Sequence, residues 1–419
     1  MAASWQGVRG ALSHAPGHFS AQVLLSATIY TQNARFFRWA RAGHMKATWD
    51  IFCSVVDNYG DIGVTWRLAR QLVAEHGLAV RLWVDDLNAF TPMCPGADAT
   101  APQQWQHGVD VRQWPVAWLP VAPADVVIGA FACQLPAAYV EAMRARVTPP
   151  LWLNLEYLSA EDWVEGCHGL PSPQPNGLRK VFFFPGFTEK TGGLLREGSL
   201  LARRDAFQQG ARQAFLHGLG VNPEAGALLI SLFAYENPQL GNWLEALASG
   251  EQPCHLLVPQ GRVVAGLGQW LGEAVLQVGS VRKRGALTLQ VLPFVSQDDY
   301  DRLLWSCDFN AVRGEDSFVR AQWAGQPMLW HIYVQDENAH WEKLEAFLAH
   351  YRQGLSGDAD AALLGLWRAW NMDRDMGQAW QAARQHWPEL QQHARLWAAR
   401  QAAQPDLATA LVHFYRNSL

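Results

Sequence analysis

Two short stretches hold the groups whose types and spacing could do chemistry. The first is Arg313-Gly314-Glu315-Asp316-Ser317-Phe318-Val319-Arg320-Ala321-Gln322. A strand-like run, Asp308-Phe309-Asn310-Ala311-Val312, precedes it, and a helical pattern carries it on to Gly325. Such a turn stands at the carboxyl end of a strand, where open α/β sheets bind ligands. Free N–H groups at a helix start favour an anion, and Ser317 adds a hydroxyl donor. Glu315 and Asp316 do not suit a bare phosphate cradle. They suit a sugar hydroxyl, or a cation brought in beside the phosphates. Taken alone, the stretch also reads as an ordinary helix start with an acidic first turn. The second stretch is Asp57-Asn58-Tyr59-Gly60-Asp61-Ile62-Gly63. It has two glycines, three residues apart, and two carboxylates where a pyrophosphate would need neutral backbone. Two acids at the mouth of a sheet suit a cationic acceptor or a general base. A turn aspartate at Asp57 and a helix cap at Asp61 are the structural alternative.

These groups need elements to present them. Residues 49–56 are a near-continuous apolar run, as in a buried parallel strand, followed by an amphipathic helix over 64–73 and a strand over 79–84. Strand, helix and strand continue at 125–132, 136–146 and 150–155. After helical residues 205–219 the pattern resumes with strands at 226–233, 255–259 and 287–295 and helices at 240–247 and 300–306. This alternation predicts an α/β protein with two parallel sheets. In the second half the strand ends bring Tyr235, Phe294 and Gln297 to one edge. Stacking rings and amides of this kind can read a nucleobase, although packing or capping would account for each singly.

The totals narrow the class. The chain has 419 residues, 49% hydrophobic and 17% charged, which suits a folded enzyme of two domains. Net charge is −5 and the isoelectric point about 6.3, which argues against a general nucleic-acid binder and leaves room for a basic partner. The six cysteines include no CxxC pair and read as reduced cytoplasmic thiols, with neither a disulfide frame nor a zinc site. No apolar run reaches the ~18 residues of a membrane helix. Residues 1–44 contain four Arg and no Asp or Glu, and Met45 offers a second start just ahead of the first strong strand.

Four separated motifs, in order, resemble the EarP family, the protein-arginine rhamnosyltransferases of elongation factor P. They are Asp50-Ile51-Phe52-Cys53 with the acidic loop after it, Phe184-Pro185-Gly186-Phe187, Ser231-Leu232-Phe233-Ala234-Tyr235-Glu236, and the stretch from Arg313 to Gln322. The resemblance runs from about Met45 to the C-terminus. It implies a GT-B glycosyltransferase, two Rossmann-like domains facing across a cleft. Residues 45–204 would form the acceptor domain and 205–365 the nucleotide-sugar domain. Residues 366–419 would be helices packing back on the first, and 1–44 an extension outside the fold. It implies dTDP-β-L-rhamnose as donor, an arginine of elongation factor P as acceptor, inversion at the anomeric carbon, and no metal or cofactor. By position, Asp61 matches the family's general base, Asp57 its essential neighbour and Glu315 a second essential carboxylate. Asn58, Tyr59 and Gly60 belong to the acceptor loop. Tyr235, Phe294, Gln297, Arg313, Asp316 and Ser317 match the donor pocket, with Phe294 as the stacking ring.

A chain beginning at Met45 is expected to match the full chain in unfolding midpoint and in transfer rate. Side-by-side thermal unfolding and turnover assays check this, and a clear drop in either would assign the extension a role.

Overall fold

Buried apolar strands of the kind read at 49–56 pair only where helices cover both faces, and the chain does this twice. The structure, a computed structural model, describes residues 46–56, 59–372 and 374–419. The extension 1–44 and the residues Asp57 and Asn58 lie outside the described residues. Residues Ala47–Leu419 form one compact unit. Its first sheet is built from β1 (Thr48–Cys53), β2 (Ala79–Val84), β3 (Gln103–Gln106), β4 (Val109–Gln113), β5 (Val126–Ala130), β6 (Leu151–Leu155), β7 (Pro171–Pro173) and β8 (Arg179–Phe183). The spatial order is β3-β4-β2-β1-β5-β6-β8-β7. The six inner strands are parallel and the two edges, β3 and β7, antiparallel.

The second sheet holds β9 (Leu228–Leu232), β10 (Cys254–Pro259), β11 (Val281–Arg284), β12 (Leu287–Leu292), β13 (Phe309–Arg313) and β14 (Met328–His331). Its order is β11-β12-β10-β9-β13-β14, parallel except for the edge β11. In both sheets the chain winds outward from the first strand and then returns to its other side. The winding therefore reverses between β1 and β5, and again between β9 and β13. A crevice opens at the carboxyl ends of strands at such a reversal. The acidic loop follows β1, and the Arg313 stretch ends β13.

The helices that join the two halves or close the chain are α1 (Gly60–His76), α2 (Gln297–Ser306), α3 (Glu315–Ala324), α4 (Ala339–Tyr351), α5 (Gly357–Asn371), α6 (Met376–Gln385), α7 (Trp387–Ala402) and α8 (Leu407–Ser418). Two begin earlier than the apolar periodicity predicts. α1 starts at Gly60, where the Gly63 N–H donates to the Tyr59 carbonyl at 3.0 Å. α2 starts at Gln297 because the Ser296 side chain caps the Asp299 N–H.

The C-terminal helices divide between the halves. The break read at 365/366 falls inside α5. Trp367, Trp380 and Trp397, on α5 to α7, bury into the core of the second sheet. Only α8 crosses to the first, where Leu407, Leu411 and Val412 join Ile62 and Leu72. Many of the 21 tryptophans are thus core residues rather than a binding surface. The helix Leu200–Gly210 likewise spans the break read at 204/205 and packs into the second core through Leu200 and Phe207.

α1 of the first half lies against α3 of the second, and charge holds the contact. The Arg67 guanidinium, fully buried on α1, donates to Asp316 at 2.8 Å, to both oxygens of Asp301 at 3.1 Å and to the Gln297 carbonyl at 3.2 Å. Arg320 on α3 grips the same Asp301 at 2.6 and 2.8 Å and donates to Glu197 at 2.8 Å. Burial works against the Glu197 charge, but Arg320 and Arg67 outweigh it and bring this carboxyl down to about 2. The helices come close at Gly63, where a Cβ would just touch the Asp316 side chain at 3.4 Å.

Removing one member of a buried ionic cluster leaves a charge uncompensated, at a cost of about 3–5 kcal/mol. Arg67→Met is expected to lower unfolding free energy by that order, with Arg67→Lys falling between, as measured by urea denaturation.

Candidate active site

The two reversals open onto one cleft of about 600 Å³, counted with its mouth, lined from both halves. From the first half come Tyr59, Gly60 and Met93; from the second come Phe233, Phe294, Arg313, Glu315, Asp316 and Ser317, among others. Tyr59 and Phe294 meet across it with ring centres 4.9 Å apart.

The floor is built for an anion. Gly314 turns the chain at φ 64°, ψ −173°, a backbone that favours glycine, and α3 starts without a side-chain cap. The first N–H groups of α3 therefore lack a capping side chain, at the positive end of the helix dipole. Arg313, buried at the end of β13, lies 4.7 Å from the ring centres of both Phe233 and Tyr235. His331, beside Tyr235, is pushed down to about 4 by burial and by Arg313, so at neutral pH it adds no charge.

The acidic first turn of α3 lines the same cleft, but each of its carboxylates is engaged by a donor. Asp316 is held by Arg67, although burial raises its pKa overall. Glu315 accepts the Leu158 N–H at 2.8 Å. Burial pushes its carboxyl up to about 7, with Asp61 and Asp316 adding to the rise and the nearby Lys343 ammonium and the Leu158 N–H opposing it.

Asp61 lies in the first turn of α1, buried, and does not cap the helix, whose cap residue is Tyr59. Its carboxylate accepts the Val56 N–H at 2.9 Å and the Tyr157 hydroxyl at 3.2 Å. The cap alternative for Asp61 is thereby answered. Tyr157 and Leu158 are consecutive, so one segment touches both carboxylates.

Most of the residues singled out from sequence converge here. Tyr59, Gly60, Phe294, Gln297, Arg313, Glu315, Asp316 and Ser317 line the cleft, and Asp61 lies just behind its wall. Asp57 and Asn58 fall outside the described residues. Tyr235 lies one layer back, buried against Arg313, His331 and Tyr333. Gln297 lines the cleft, but its amide donates to the Gly63 carbonyl at 2.9 Å and accepts from Arg70 at 3.3 Å. That amide ties the halves together rather than facing a base. Met93 and Tyr300 were not anticipated. Tyr300 sits on the polar-looking first turn of α2, and Met93 on a loop without periodicity, so neither gave a signal. Among the described residues no cluster of three His, Cys, Asp or Glu is placed to hold a metal, and no helix is long and apolar enough to cross a membrane.

Two Rossmann-like sheets whose reversals face one cleft define a glycosyltransferase of the GT-B class. The chain belongs to the EarP family: the model for elongation-factor P (EF-P) rhamnosyltransferase EarP matches residues 49–416. A protein-arginine rhamnosyltransferase of Pseudomonas putida is 91% identical over 377 residues, covering 90% of this chain and 100% of its own. One from Pseudomonas aeruginosa is 60% identical, covering 89% and 100%. A solved structure described as the basis for EarP-mediated arginine glycosylation of translation elongation factor EF-P is 70% identical. It covers 89% of this chain and 100% of its own, with a TM-score of 0.66.

Glu315 supplies a pH test. An acid whose folded pKa lies above its unfolded one stabilises fully below the unfolded value, near 4.5, and loses that contribution as pH rises through about 7. Stability should therefore fall between pH 5 and 8. Glu315→Gln is expected to recover roughly 1–2 kcal/mol at pH 8, allowing for partial exposure, and nothing at pH 4, as read from urea midpoints.

Proposed function

We propose that this protein transfers rhamnose from dTDP-β-L-rhamnose to an arginine side chain of elongation factor P, in the cytoplasm, with inversion and without a metal. The observation that carries the reading is that the start of α1, which bears Asp61, and the uncapped start of α3, preceded by Arg313, border one cleft. Family membership supports a rhamnosyl group and elongation factor P, and the dTDP-linked donor is part of the proposal.

A guanidinium is a poor nucleophile because its pKa exceeds ~12 in water. It must be aligned and relieved of a proton as the new bond forms. Asp61 accepts that proton. Asp57, assigned from sequence alone, holds the planar fork beside it. A guanidine nitrogen attacks the anomeric carbon from the face opposite the diphosphate. The bond from that carbon to the phosphate oxygen breaks, and dTDP leaves with the bonding pair. Arg313 and the first N–H groups of α3, with the Ser317 hydroxyl, take up the developing negative charge. Phe294 stacks the thymine, with Tyr235 behind Arg313 fixing that cation. Glu315, adjacent to both the Asp61 segment and the diphosphate floor, orients the sugar or the acceptor. The net charge of −5 suits a basic, arginine-presenting partner.

Intact-mass spectrometry of elongation factor P, after incubation with this protein and dTDP-β-L-rhamnose in chelator, tests the reading. One deoxyhexose added at an arginine is expected. Asp61→Asn should fold and bind donor while slowing transfer by roughly 10²–10⁴-fold. Donor turnover without any protein acceptor would instead favour a GT-B enzyme with a small acceptor. Donor binding with no turnover at all would favour a non-catalytic nucleotide-sugar binder.

A further inference from the structure

The two carboxylates on which the proposed reaction depends sit on different halves of the molecule, yet consecutive residues hold them. The Tyr157 hydroxyl donates to Asp61 Oδ1 at 3.2 Å, and the next residue's N–H donates to Glu315 Oε2 at 2.8 Å. Tyr157 follows β6, which lies beside β5 in the first sheet. Its ring is braced. Phe131, immediately after β5, stacks on it with centres 4.5 Å apart and planes 20° apart. The Lys343 ammonium of α4, from the second half, lies 5.7 Å from the ring centre.

The brace comes with backbone strain. Phe131 and Ala132 both stand at φ 56°, the left-handed region that side-chain-bearing residues avoid. Each such residue costs of order 1–3 kcal/mol and persists only where the surroundings enforce it. Here the Phe131 N–H donates to the Leu155 carbonyl at 2.7 Å, which fixes the turn beside Tyr157. Two consecutive outliers next to a carboxylate's hydrogen-bond donor are hard to assign to packing alone, because Tyr157 is 39% exposed.

We infer that Tyr157 is a positioning residue for the transfer: it holds the Asp61 carboxylate in the orientation needed to receive the guanidinium proton, in register with Glu315. Burial, then the Asp61 and Glu315 charges, drive its phenol pKa upward, so the hydroxyl keeps its proton and acts as a donor throughout the working range. The carboxylate also accepts the Val56 N–H, so loss of Tyr157 would remove one of the hydrogen bonds that set its orientation while leaving it tethered. The inference rests on Asp61 being the base.

The test is steady-state transfer by Tyr157→Phe, which keeps the ring and removes only the donor. Loss of one hydrogen bond to a charged group should lower kcat about tenfold or somewhat more, with KM for donor and for acceptor within about twofold and the unfolding midpoint unchanged. Asp61→Asn is run beside it. Wild-type kcat in Tyr157→Phe, with Asp61→Asn inactive, would overturn the positioning role and leave the base in place. Normal transfer by Asp61→Asn would overturn both. A loss of kcat that tracks a lowered midpoint, and that Phe131→Leu reproduces with the hydroxyl still present, would make Tyr157 a packing residue and also overturn the inference.

Discussion

One buried ionic cluster decides the geometry of everything else. Arg67 on α1 and Arg320 on α3 share Asp301, and each adds a further carboxylate, Asp316 for the first and Glu197 for the second. Guanidinium forks suit this task because their planar donors match carboxylates at fixed angles. A hydrophobic contact of similar area would hold the two halves together but would tolerate sliding. The cluster does not. It fixes the start of α1 against the start of α3, and with it the separation of Asp61 from Glu315.

The same constraint explains how acid and anion chemistry share one cleft. Three of the groups nearest the floor are carboxylates, which would repel a diphosphate if they faced it. Asp316 is turned to Arg67, Glu315 to the Leu158 N–H, and Asp61 to Val56 and Tyr157. Glu315 and Asp316 still line the cleft beside Arg313 and the uncapped start of α3, but with these donors on their oxygens.

Much of this was legible in the chain, for local reasons. Buried parallel strands are nearly all apolar, so β1, β5, β9 and β13 stood out, and the residues just past their ends were the natural candidates. Glu315, Asp61 and Phe294 were found in that way. The edge strands β3, β7 and β11 are short and polar or proline-bearing, and resembled loops. Arg67, Glu197, Asp301 and Arg320 gave no signal, because ion pairs between different elements, from 19 to 249 positions apart, leave no regular spacing to read. Arg67 in particular looked like one more polar position on an amphipathic helix. Gln297 is a different case. It lines the cleft, but an amide's partner depends on what lies across the interface, here the carbonyl of Gly63. The divided C-terminus was missed because α5 to α8 are all amphipathic helices, and an apolar face does not say which sheet it will cover.

The path of α8 has a consequence for how the protein is made. This last helix supplies Leu407, Ala408, Leu411 and Val412 to the core of the first sheet, and Tyr415 meets Trp49 edge-on with ring centres 5.8 Å apart. On the ribosome, synthesis proceeds from the N-terminal end at about 5–20 residues per second. The first sheet therefore emerges complete in its strands some tens of seconds or less before the helix that closes it. During that interval the apolar face later covered by α8 is open to water and to chaperones. The first half can reach its finished core only when the final residues have left the exit tunnel, so translation of the whole chain, not of its first half, completes the native first half.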